Sequence, residues 1–146
     1  MPLSDAEALA ARIVAESGDA VMFVDREGVV RLWNRAAEEM FGFPAAEMVG
    51  ASMDPIVPER LRARHWEGWD KVMASGVTRY GKDVLAVPAL RKDGSTLSIE
   101  FTIALLRDGS GAVAGAAAIV RDVTQRFGRE KALRARLKEL EAKTRG

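Results

Sequence analysis

The chain has 146 residues, with 22 lysines and arginines against 21 aspartates and glutamates, one histidine and no cysteine. That length suits one domain, and 48% apolar with 29% charged residues is enough to build a core and keep it in solution. The missing cysteine excludes disulfides, thiolate metal sites and cysteine nucleophiles, and the single histidine excludes a multi-histidine zinc centre within one chain.

The first segment, Ser4 to Ser17, predicts an amphipathic helix. Ser4 and Glu7 have capping-box spacing, Asp5 favours the positive end of the dipole, and Leu9, Ile13 and Val14 share a face. Gly18 ends it. Ala20–Val24 and Val29–Trp33 then form a hairpin across the Asp25-Arg26-Glu27-Gly28 turn. Asn34 is the N-cap of a short helix over Ala36–Phe41, closed by Gly42, and Pro44 opens another turn to Met48. Ser52–Pro58, with prolines at 55 and 58, is loop, and a longer helix runs from Pro58 to Ser75, ending at Gly76.

Three strands follow: Thr78–Leu90, Ser95–Leu106 and Ala112–Val120, joined by turns at Lys92-Asp93-Gly94 and Asp108-Gly109-Ser110-Gly111. Pro88 marks the first as an edge or bulge, and Leu97, Ile99, Phe101 and Ile103 alternate onto one face of the second. A charged helix continues from Thr124 to about Lys143, with Leu133, Leu137 and Leu140 at the spacing of a coiled-coil seam. The fold class is therefore α+β, with about five antiparallel strands and short helices on one face.

Charge is uneven. Residues 121–146 carry a net +5, leaving −4 on residues 1–120, so the body lacks the basic surface that nucleic acid requires. No apolar run reaches the ~18 residues of a membrane span, and the N-terminus lacks a secretion signal, so the expected setting is the cytoplasm, away from membranes.

Glu27-Gly28, Trp33-Asn34-Arg35-Ala36-Ala37-Glu38, Phe41-Gly42-Phe43, Glu47-Met48-Val49-Gly50, Lys92-Asp93-Gly94-Ser95 and Arg121-Asp122-Val123-Thr124 occur in the order and spacing of a PAS domain, and the chain resembles that family from about Gly18 to Thr124. The resemblance divides it into an N-terminal dimer-cap helix (1–17), a PAS domain (18–124) and a C-terminal signalling or coiled-coil helix (125–146). It implies a sensory rather than an enzymatic module, and a cavity between sheet and helices. It further implies a homodimer through the terminal helices, with a signal relay at Asp122 and Thr124. Output then belongs to a separate protein such as a kinase or regulator, or the chain is an excised sensor piece. Without cysteine, no flavin–cysteine adduct can form, and photosensors that attach their chromophore through cysteine are excluded as well.

His65 lies on the long helix, in a stripe with Leu61, Trp69 and Val72 at steps of four, four and three. Its position, about 27 residues before the Lys92-Asp93-Gly94 turn, is similar to that of the proximal ligand in haem-PAS oxygen sensors of the FixL type. That resemblance implies haem b ligated by the His65 imidazole and sensing of gas or redox state. Ile99, Phe101 and Ile103 then form the opposite wall, Lys71 lies near a propionate, and Val84 stands where those sensors carry an arginine. The alternative is a structural histidine in a haem-free module that binds a small apolar metabolite or serves as a dimerisation platform. Trp33, Trp66 and Trp69 either frame a planar ligand or are core. Arg79-Tyr80-Gly81 edges a pocket or a strand, while Asp25 with Glu27 and Glu38 with Glu39 read as turn and solvated-helix carboxylates.

Overall fold

A computed structural model of the chain describes residues 5–78 and 85–145. The elements run α1 (Ala6–Glu16), β1 (Ala20–Asp25), β2 (Val30–Trp33), α2 (Arg35–Phe41), α3 (Ala45–Met48), two single 3-10 turns (Asp54–Ile56 and Glu59–Leu61), α4 (Arg62–Ser75), β3 (Leu85–Leu90), β4 (Thr96–Arg107), β5 (Val113–Asp122) and α5 (Thr124–Arg145). The strands form one antiparallel sheet in the order β2-β1-β5-β4-β3. The α+β class, the five strands and the edge position of the Pro88 strand are as the sequence predicts.

Alternation along the strands sends one set of side chains inward. Met22 and Val24 of β1, Leu97 and Ile99 of β4, and Val120 of β5 meet Ala37 and Phe41 of α2 and Met48 of α3 in the main core. A second cluster, of Met73, Val113 and Ala116, lies under the end of α4. Burying such side chains is the main favourable term, at roughly 25 cal/mol per Å² of apolar surface.

Asn34 caps α2 as expected, and it does more than that. Its Oδ1 accepts from Ala37 N at 3.0 Å and from Val21 N at 2.9 Å, and its Nδ2 donates to Val14 O at 2.8 Å and Asp19 O at 3.1 Å. One side chain thus ties α1, the α1–β1 link, β1 and α2 together while only 6% exposed.

Some boundaries differ. Asp5, not Ser4, caps α1, accepting from Ala8 N at 3.1 Å, and the Ser17 C-cap precedes Gly18; Ser4 lies outside the described residues. The long helix starts at Arg62 rather than Pro58, because Leu61 N bonds Pro58 O in a tighter 3-10 turn first. β2 begins at Val30 rather than Val29, which accepts from Asp25 N across the turn and also bridges Ser52. The first part of the expected third strand, with Arg79, Tyr80, Gly81 and Val84, lies outside the described residues.

Replacing Asn34 with alanine strands two backbone N–H groups and two carbonyls that the amide now satisfies. Asn34→Ala is expected to lower unfolding free energy by about 2–4 kcal/mol, read from urea denaturation. Asn34→Asp keeps the acceptors but aims a carboxylate at two carbonyls, and is expected to lose at least as much.

Candidate functional site

Two regions carry the side chains singled out in the sequence: the α4 face around His65, and the junction where β5 becomes α5.

α4 is fastened to the body by specific anchors. Trp66 Nε1 donates to Asp54 Oδ1 at 2.6 Å, and its ring lies over Gly28, where an added Cβ would sit 2.8 Å from the ring carbons. Gly28 therefore has two reasons to be glycine, that close approach and its φ of +85°. Trp69 Nε1 donates to Arg26 O at 3.2 Å, and its indole packs against both core clusters. At the far end, Gly76 turns left-handed to close the helix, and Arg107 donates to Gly76 O at 3.1 Å and Gly111 O at 3.0 Å.

The His65 ring lies against both indoles, which themselves meet edge-on at 6.0 Å. It meets Trp66 edge-on at 4.7 Å and lies stacked with Trp69 at 6.5 Å. Its Nδ1 is buried and has no hydrogen-bond partner among the described residues. Burial lowers its pKa from the usual value, opposed by the Asp54 charge, so the imidazole is neutral at pH 7. Leu61 packs on the main core with Ile99 and Phe101, whereas Val72 and Ile103 pack on the second cluster. Lys71 is exposed and pairs with Glu67 one turn back at 3.5 Å. Trp33 does not join Trp66 and Trp69 around one ligand. It packs on Phe41 at 5.4 Å and donates to Phe43 O, because strand alternation turns it into the main core.

Open concavities among the described residues include the following two. A groove of about 550 Å³ lies between Pro58–Arg60 and the β3–β4 end, lined by Pro88, Leu90 and Thr96. A second, of about 230 Å³, lies on the outer side of the sheet beside Glu100, Thr102, Ile119 and Arg121. Neither is lined by His65, Trp69, Val72 or Ile103. Among the described residues no three metal-ligating side chains converge, and no helix is long and apolar enough to cross a membrane.

At the β5–α5 junction, Asp122 and Thr124 are joined by hydrogen bonds. The Asp122 carboxylate accepts from both the backbone N–H and the hydroxyl of Thr124, and from Arg91 Nη2 at 3.3 Å. Burial alone would raise the Asp122 pKa, but the Thr124 and Arg91 donors hold it below the ordinary carboxylate value. Ser98 of β4 donates its N–H to Thr124 Oγ1 at 3.0 Å and accepts from Val123 N at 2.8 Å. Arg126 in the first turn of α5 reaches back to Glu100 of β4 at 2.6 Å. Asp54, Arg91 and Glu100 were not singled out in the sequence. Glu100 has a signal there, as the polar member of an alternating strand, but its partner emerges only with the register.

His65 gives the ligand-free chain a pH signature. The unfolded imidazole binds a proton near its ordinary pKa of 6.5, whereas the buried ring resists until lower pH. The contribution is thus complete above pH 6.5 and lost as pH falls toward the lowered native pKa. Denaturation midpoints are expected to fall between pH 7 and about 5. His65→Gln is expected to flatten that slope, and an equal slope in the variant would place its source elsewhere.

A family model described as the PAS fold matches residues 14–127. Among curated proteins, an uncharacterized protein of Azorhizobium caulinodans is 32% identical over 87% of this chain, and the sensor protein FixL of Bradyrhizobium diazoefficiens is 27% identical over 85%. The chain spans only 17% and 23% of the length of these relatives. Among solved structures, the PAS domain of a Colwellia psychrerythraea protein superposes with a TM-score of 0.72 at 22% identity, covering 83% of this chain and 99% of that one. The sheet order, the helices on one face and the family match agree, and the chain belongs to the PAS family.

Proposed function

We propose that the chain is a sensory input module that converts a state at the inner face of its sheet into a change in α5. The observation that carries this reading is the junction itself. Val123 and Thr124 bond backbone groups of Ser98, the neighbour of core residue Ile99, so a shift of β4 acts directly on the first turn of α5. The signal passes on to a separate output protein such as a kinase or regulator, in the cytoplasm, with no chemical step in the chain itself.

In the sharper form of this reading the module holds haem b, and His65 is the iron ligand. Supporting it is the neutral imidazole with a buried Nδ1 that nothing among the described residues satisfies, an acceptor chemically suited to iron. Leu61, Trp69, Val72, Ile99, Phe101 and Ile103 would surround the macrocycle and Lys71 would meet a propionate, while Val84 lies outside the described residues. Haem would supply a gas- or redox-responsive iron; the chain's own part is to hold the imidazole neutral and screen it from water with the two indoles. A second reading is a haem-free module that takes a small apolar metabolite or only a protein partner. It is favoured by the filled core at Phe41, Met48 and Ile99. Titration with hemin separates the two. The haem reading expects a sharp Soret band that His65→Ala abolishes; no band, or one unchanged in the variant, leaves the haem-free module.

The terminal helices are the proposed homodimer elements. Ile13 of α1 is 62% exposed and Leu133 of α5 is 69% exposed, so both helices present apolar side chains that the chain itself does not cover. Removing residues 1–17 and 126–146, separately and together, is expected to convert a dimeric mass in solution to a monomeric one. A dimer that survives both deletions places the interface on the body.

A further inference from the structure

Arg126 has two carboxylates within reach. Its Nη2 lies 2.6 Å from Glu100 Oε1 on β4, and its Nε lies 3.8 Å from Glu130 Oε1 one turn further along α5. The first pair ties the helix to the sheet, and the second is internal to the helix. Glu100 is the more sheltered acid, its side chain 22% exposed against 53% for Glu130, which favours the pairing with the sheet. Glu100 also has a replacement cation. Arg121 is its direct cross-strand partner on β5, at the range where opposite charges in a sheet interact, and at present Arg121 pairs with Asp19 at 3.2 Å.

We propose that Arg126 is a two-position latch that sets how α5 leaves the sheet. Paired with Glu100 it seats the first turn of α5 against β4, and transferred to Glu130 it releases that turn. The inference rests on the reading of α5 as the output helix and names the side chains that regulate it. Its physical basis is near-balance. Exposed ion pairs are individually weak, so the two positions differ by roughly fivefold or less in population, and a small twist of β4 is enough to tip them. In the released state Glu100 faces Arg121 and Arg126 faces Glu130, and the group that gives up its partner is Asp19, whose pair with Arg121 is itself solvent-exposed. The remaining link, from Thr124 and Val123 to Ser98, then acts as the hinge on which α5 turns.

The chain contains no cysteine, so two introduced thiols can be spin-labelled cleanly. Ala104→Cys on the outer face of β4 and Ala135→Cys on α5, both exposed positions, report the distance from helix to sheet by pulsed electron paramagnetic resonance in the full chain. Glu100→Gln is expected to raise the population of released helix about two- to fivefold, and Glu130→Gln to lower it by a similar factor. High salt is expected to erase the difference between the two variants. Far-UV circular dichroism and the melting temperature check that each variant is folded. Unchanged distributions in both variants, or a shift of both in the same direction, would overturn the latch. That failure touches the latch alone, because no stimulus, cofactor or output protein enters the measurement.

Discussion

The Asn34 side chain has two acceptor lone pairs and two donor hydrogens to place, and backbone from four separated points of the chain takes all of them. Its Oδ1 bonds Val21 N while its own N–H bonds Val21 O, so the amide continues the β1–β2 ladder past the point where β2 ends. The chain then turns into α2 without leaving peptide groups unpaired in the interior. A buried amide is tolerated only when it is this completely satisfied, and no hydrophobic residue of its size can stand in for it. The position of α1, the end of β2 and the entry of α2 all follow from it. So does the placement of Phe41, which α2 delivers to the centre of the core.

α4 is secured differently. Its polar attachments are few, Trp66 to Asp54, Trp69 to Arg26 O, Arg62 to Val57 O and Arg107 to Gly76 O, beside the packing of Trp69, Val72 and Met73 on the core clusters. Apart from Met73, its residues are half-buried or exposed. Elements held by few buried contacts open at lower free energy than core strands. By that measure the face that carries His65 is the less deeply buried one, against the half of the fold around α2 and α3. In a sensory module that is the useful arrangement, since binding shifts an equilibrium only where two states lie close in energy.

The legible parts of the sequence were those fixed by local chemistry. The Asp25–Gly28, Asp93-Gly94 and Asp108–Gly111 turns declare themselves because aspartate bonds its own following backbone and glycine accepts the left-handed conformation, as Gly28, Gly94 and Gly111 do here. The caps at Asn34, Gly42 and Gly76, the alternation of β4 and the Asp122-to-Thr124 bond are local in the same sense. The stripe of Leu61, His65, Trp69 and Val72 puts His65 on an apolar face, but spacing alone cannot reveal that its neighbours are two indoles, Trp66 anchored on Asp54 and Trp69 on Arg26 O. Arg91 with Asp122 and Glu100 with Arg126 stayed hidden for the same reason. Each pair joins residues 26 or 31 positions apart, and only the register of β3, β4 and β5 brings them together. The 3-10 turn before α4 was missed because a proline with helix-favouring residues after it suits either helix type.

β4 connects the two regions that matter. Ile99 and Phe101 face the core, and Glu100 between them faces out, because successive strand residues point to opposite sides of the sheet. A ligand or partner that displaces Phe101 thus moves Glu100 through a single peptide bond, without any longer chain of packed residues. At Ser98, two positions earlier, the same strand is bonded to Val123 and Thr124, so the pivot of α5 and its ion pair sit on one strand. A translation of β4 that carries both together leaves the helix orientation unchanged, whereas a twist of β4 moves Glu100 relative to Ser98 and pulls Arg126 with it. The geometry accordingly favours twist of the sheet over displacement as the motion that α5 reads.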